Sequence, residues 1–83
     1  MTAPKKTPVS GPAAEFGARL RGIREHRGWS LETAAEKCGV HFTYLGRAER
    51  GVQGVRLETI VKIAYGFQID PAVLITGIQP DPM

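Results

Sequence analysis

Residues 28–51 read Gly28-Trp-Ser-Leu-Glu-Thr-Ala-Ala-Glu-Lys-Cys-Gly-Val-His-Phe-Thr-Tyr-Leu-Gly-Arg-Ala-Glu-Arg-Gly51. Two short helical patterns meet there across Gly39. In the first, Ser30 stands where a hydroxyl can accept from the free amides of a first turn. Leu31, Ala34, Ala35 and Cys38 follow at helical spacing. Gly39 supplies the left-handed residue that a tight corner between helices needs. In the second pattern, Val40 precedes the helix and is spaced to staple onto Leu45. His41 falls at the cap, where histidine is uncommon. Leu45 and Ala48 form the inward face, which leaves Phe42, Thr43, Gly46 and Arg47 outward.

Working outward, residues 1–12 hold Pro4, Pro8, Gly11 and Pro12 and almost no apolar side chains. They read as a disordered basic arm. A helix is expected from about Ala13 to Arg27, started at Ser10 or Gly11 with Pro12 in its first turn. Phe16, Leu20 and Ile23 lie on one face of it, and Gly28 ends it. After the loop Gly51-Val-Gln-Gly54, a fourth helix spans about Leu57 to Phe67, with Leu57, Ile60, Val61, Ala64 and Phe67 apolar at helical spacing. Asp70-Pro71 is a strong start for a fifth helix, about Pro71 to Thr76, closed by Gly77. Residues 79–83, with Pro80 and Pro82, read as a frayed tail. No run shows strand alternation. The expectation is an all-α, compact five-helix domain over residues 13–78.

The chain of 83 residues is one domain by length. Its net charge of +3 is unevenly spread. All the lysines and arginines fall within residues 1–62, and residues 63–83 carry only Asp70 and Asp81. A basic front with an acidic, apolar tail suits a polyanion-facing domain, although scatter in a small protein reads the same. One cysteine precludes an intrachain disulfide and fits a reducing, cytoplasmic setting. No apolar run approaches a membrane span, and no apolar stretch follows Lys5 and Lys6 as in a signal peptide.

The segments Leu20-Arg-Gly-Ile-Arg24, Gly28-Trp-Ser30, Ala35-Glu-Lys37, Gly39-Val40, Tyr44-Leu45, Arg47, Glu49-Arg-Gly51, Leu57-Glu-Thr59, Lys62 and Ala64 occur in one order and at fixed spacings. In this the chain resembles the Cro and phage-repressor (XRE-type) helix-turn-helix family, including the small controller proteins of restriction-modification systems. The resemblance covers roughly residues 14–76. It implies a five-helix repressor-like domain acting as a transcriptional regulator, usually as a homodimer on a palindromic double-stranded DNA operator. It also implies an ion pair between Arg24 and Glu49 that ties the first helix to the third. Four positions depart from the family pattern: Leu31 replaces the common phosphate-gripping glutamine, Phe42 replaces a polar residue, and Trp29 is larger and Ala48 smaller than the usual aliphatics.

DNA recognition takes affinity from phosphates and specificity from base edges. The third helix therefore supplies the expected base contacts, Phe42, Thr43, Gly46 and Arg47. The fork of Arg47 matches guanine O6 and N7. Thr43 suits a base or a thymine methyl. Phe42 either packs on thymine methyls or turns back onto the second helix. Gly46 costs its helix about 1 kcal/mol relative to alanine, which close approach to a groove wall would explain. Phosphate contacts are expected from Arg50, Gln53 and Arg56, and Lys5 and Lys6 either track the backbone or stay unengaged. Trp29 is expected to fill space left by the small Ala48, or else to stand at a partner surface.

The two last helices hold more apolar residues than one small core needs. Val73 and Leu74 are assigned to the core and Ile75 and Ile78 to a dimer interface. Catalysis is not expected. His26, His41 and Cys38 have no zinc spacing, and no nucleophile motif or phosphate loop occurs. Gly51-x-x-Gly54 lacks the strands of a KH module. No cofactor, metal or small-molecule effector is expected. The rival reading is a protein-interaction module of the same fold, an antitoxin or transcription adaptor with weak DNA binding.

Overall fold

Five helices follow one another in the computed structural model, which describes residues 7–82: α1 (Gly11–His26), α2 (Leu31–Cys38), α3 (Phe42–Arg50), α4 (Leu57–Phe67) and α5 (Ala72–Ile75). No strand occurs among the described residues. Lys5 and Lys6 lie outside them.

The capping chemistry places the helix starts. The Ser10 hydroxyl accepts from the Ala13 amide at 3.1 Å, so Gly11 and Pro12, expected in the arm, form the first turn of α1. The Gly11 amide donates to the Asp81 carboxylate at 2.8 Å. A residue of the expected frayed tail thus serves as a second cap, because first-turn amides lack partners within the helix and attract an anion. Ser30 caps α2 through the Thr33 amide. Asp70 accepts from the Ala72 amide and starts α5. His41 proves an effective cap after all: its Nδ1 accepts from the Thr43 amide at 3.1 Å.

Missing side chains set how closely the helices approach. A Cβ on Gly17 would collide with the carbonyl oxygens of Ala48 and Glu49, so α1 lies directly on the end of α3. A Cβ on Gly66 would lie 2.6 Å from Cys38 Cα, so α4 presses on the end of α2. There the buried Cys38 thiol donates to the Ile63 carbonyl at 3.5 Å, and burial pushes its pKa up from 9.0 to about 11. Gly39 and Gly51 close α2 and α3 in the left-handed region, at φ +69° and +73°. At Gly51 the backbone also passes close to Ala14, whose Cα would be 2.8 Å from an added Cβ.

The core is centred on Leu20, Leu45, Ile63, Phe67 and Leu74, all fully buried. Several packing expectations are corrected here. The buried face of α4 is Ile63, Ala64 and Phe67, while Leu57 (70% exposed) and Val61 (48%) face outward. With apolar residues on most of its surface, the helix has more than one possible inward face, and the close Gly66–Cys38 contact selects one. Val73, assigned to the core, is 50% exposed, because the four-residue α5 buries only Leu74. Ile78 is half-buried against this chain's own core, with part of its side chain still accessible where an interface is expected. Trp29 stacks on Phe67, with ring centroids 5.1 Å apart, and carries Arg27 and Lys37 over its ring.

Candidate nucleic-acid interface

The seven arginines divide by position in the chain. Those from α1 and its end are engaged internally. Arg19 pairs with Glu15 and also donates to the Val73 carbonyl, and Arg21 pairs with Glu25. Arg27 donates to the Phe67 carbonyl at 2.7 Å and so caps the end of α4. Arg24 is held most firmly. Its Nε and Nη2 donate to the two carboxylate oxygens of Glu49 at 2.6 and 3.0 Å, and its Nη1 donates to the Trp29 carbonyl at 2.9 Å. The two side chains are only 15% and 6% exposed. The hydrogen bond and charge of Glu49 raise the Arg24 pKa against the opposing effect of burial. The fork clamps α1, the α2 entry and α3 together and leaves neither charge over for a ligand.

Arg47, Arg50 and Arg56 make no ion pair or side-chain hydrogen bond among the described residues, and all three are exposed. They come from α3 and the loop that follows it. Thr43, Arg47 and Arg50 recur at the i, i+4 and i+7 spacing opposite the buried Leu45 and Ala48. A helix with its donors ranked along its outward line, and no acid to quench them, is suited to a polyanion. Gln53, in the loop between Arg50 and Arg56, is half-buried.

Phe42 is 48% exposed and stacks on His41, with centroids 4.8 Å apart, rather than turning into the core. The pair forms an aromatic edge at the start of α3. Because His41 Nδ1 accepts a hydrogen bond, the neutral ring carries its proton on Nε2, which adds a donor there. Nothing in residue spacing marked His41 as more than a poor cap.

Gly46 is corrected: it is buried, not outward. Leu31, projecting from the start of α2, covers it, and the Arg50 guanidinium folds back over it. An added Cβ would meet Leu31 Cδ2 at 3.2 Å and Arg50 Nη1 at 3.3 Å. The outward group is therefore Phe42, Thr43, Arg47 and Arg50, with His41 added and Gly46 removed. Seen separately, Leu31 and Gly46 are two oddities of sequence. Together they are one contact.

Comparisons with known proteins agree with this architecture. Residues 15–74 match the family model of a helix-turn-helix domain. The chain is 37% identical over 60 residues to the HTH-type transcriptional regulator SutR of Escherichia coli, covering 72% of this chain and 34% of SutR. It thus spans about a third of the length of that regulator. Among solved structures, the restriction-modification controller protein C.AhdI from Aeromonas hydrophila superposes with a TM-score of 0.73 at 40% identity, covering 75% of this chain and 94% of that one. The biofilm master regulator SinR, solved in complex with DNA, superposes with a TM-score of 0.67 at 30% identity over 71% of this chain and 95% of its own.

Proposed function

Because this chain belongs to the helix-turn-helix domain family, we propose that it is a sequence-specific regulator of transcription that binds double-stranded DNA with α3 in the major groove. The observation that carries the reading is the division of the arginines. The four around α1 are spent on structure, and the three from α3 onward stand free on one outward line and its adjoining loop. Arg47 reads a base edge, with Thr43 and Phe42 beside it. Arg50, Gln53 and Arg56 hold phosphates. The chain acts in the cytoplasm as a homodimer on a palindromic operator, through α5 and the segment after it, with Ile75 and Ile78 at the interface. Two-fold symmetry then spaces the two α3 helices by about 34 Å, one turn of DNA.

One observation favours the second reading, a protein-interaction module. Leu57, Val61 and Tyr65 form an exposed stripe along α4, at 70%, 48% and 85% exposure. Footprinting on the DNA upstream of the chain's own gene, with affinity measured against salt, separates the two. The regulator protects a discrete site and binds it about a thousandfold or more above random sequence. An adaptor shows only weak binding that salt abolishes.

A further inference from the structure

Gly46 is a packing residue of α3 and Arg50 an exposed cation on the same helix. Their geometry joins them. Arg50 lies four residues beyond Gly46 on α3, and helical side chains lean back toward the N-terminus. With no side chain at position 46, the Arg50 guanidinium settles over the helix backbone there. Its Nη1 lies 3.3 Å from where a Cβ would stand. Leu31 Cδ2 lies 3.2 Å from the same point, so both side chains close over one notch. Both side chains line one open hollow with Arg21, Arg24 and Glu49. The Glu49 carboxylate in that hollow is fully occupied by Arg24, and Arg21 is paired with Glu25, so no acid holds Arg50.

We propose that Gly46 is a positioning residue for DNA binding: the notch it leaves, which Leu31 also closes, holds the Arg50 guanidinium on the outward face of α3 to clamp a backbone phosphate. This rests on the DNA-binding reading above. It accounts for a glycine inside a nine-residue helix, where glycine is less favourable than alanine. A long arginine free to sample solvent loses rotamer entropy on binding. One already seated loses less, so the glycine exchanges helix stability for a preorganised donor.

The test uses the full chain with G46A, R50A and the double variant, a random-sequence duplex of about 30 base pairs as the phosphate probe, and affinity followed against salt. One lost phosphate contact lowers the slope of log K against log salt by about 0.9 per protomer, and affinity roughly tenfold at ~0.1 M salt. R50A is expected to show that loss in full and G46A part of it, because a methyl there asks the Arg50 Nη1 to give by only a few tenths of an ångström, and the double variant is expected to lose no more than R50A alone. A wild-type slope for G46A, or losses that add in the double variant, overturns the proposal. A thermal melt of G46A checks the fold: glycine-to-alanine inside a helix favours the helix, so G46A is expected to melt no lower than the wild type, and its lost increment then belongs to Arg50 and not to unfolding. A readout without DNA separates the two levels of argument. Nuclear Overhauser contacts between the Arg50 guanidinium and the Gly46 α-protons should be present in the wild type and weaker at residue 46 of G46A. Their absence in the wild type defeats the notch, whereas their presence in a chain that binds no duplex defeats the DNA reading and the clamp with it.

Discussion

At the scale of single residues, two arginines on neighbouring helices have opposite duties. Arg24 is buried in a bidentate pair and also braces the Trp29 carbonyl. Removing it takes the partner from the Glu49 carboxylate, which is only 6% exposed in the intact pair. Arg24→Ala should cost about 3 kcal/mol in chemical denaturation. Arg47→Ala should leave the melting temperature in place and lower specific DNA affinity by about 1–3 kcal/mol, measured as anisotropy on the footprinted site. The reverse ranking, a stable Arg24→Ala and an unfolded Arg47→Ala, would exchange the two roles. Gly51 gives a third residue-scale expectation. Its φ of +73° and its closeness to Ala14 act together, so Gly51→Ala should destabilise the fold by about 2–4 kcal/mol.

Among the elements, the contact of α2 with α4 has a titratable group at its centre. The Cys38 thiol has a folded pKa of about 11 against 9.0 for the free group, because burial penalises the thiolate. The unfolded chain ionises first. The neutral thiol's contribution is therefore complete below pH 9 and is lost as pH rises through 11. Stability of the wild type should fall across that window by on the order of 2 kcal/mol more than that of Cys38→Ala. Parallel curves for the two chains would mean that water reaches the sulfur. Helix existence was readable in the sequence because most starts carry a cap, as at Ser10, Ser30 and Asp70, while α4, which has no side-chain cap, was readable from its apolar spacing. The buried face of α4 was not. Leu57, Ile60, Val61, Ile63, Ala64 and Phe67 satisfy more than one apolar stripe, and spacing alone cannot choose between them. The choice came from Gly66 seating α4 on Cys38.

For the whole molecule, the remaining question is how two copies meet. Ile75 is 44% exposed and Ile78 is half-buried, so the expected interface is a continuation of the core rather than a separate patch. Sedimentation at micromolar concentration should show a dimer for the wild type and a monomer for Ile75→Asp. The monomeric variant should keep its fold and lose cooperative binding to the footprinted site. A wild type that stays monomeric with and without DNA would remove the interface. The chain ends also meet at this scale. Asp81 caps α1, joining positions 70 residues apart.

The sequence by itself determined the five helices, the glycine corner at Gly39 and the apolar alternation behind Leu45 and Ala48. These depend on local backbone preference and on periodicity, which adjacent residues carry between them. Tertiary structure decided which arginines are spent, which face of α4 is buried, and that Gly46 lies under Leu31 and Arg50. The contacts between helices that decide these join partners 15 to 54 residues apart, whose distance is fixed only when the helices close on one another.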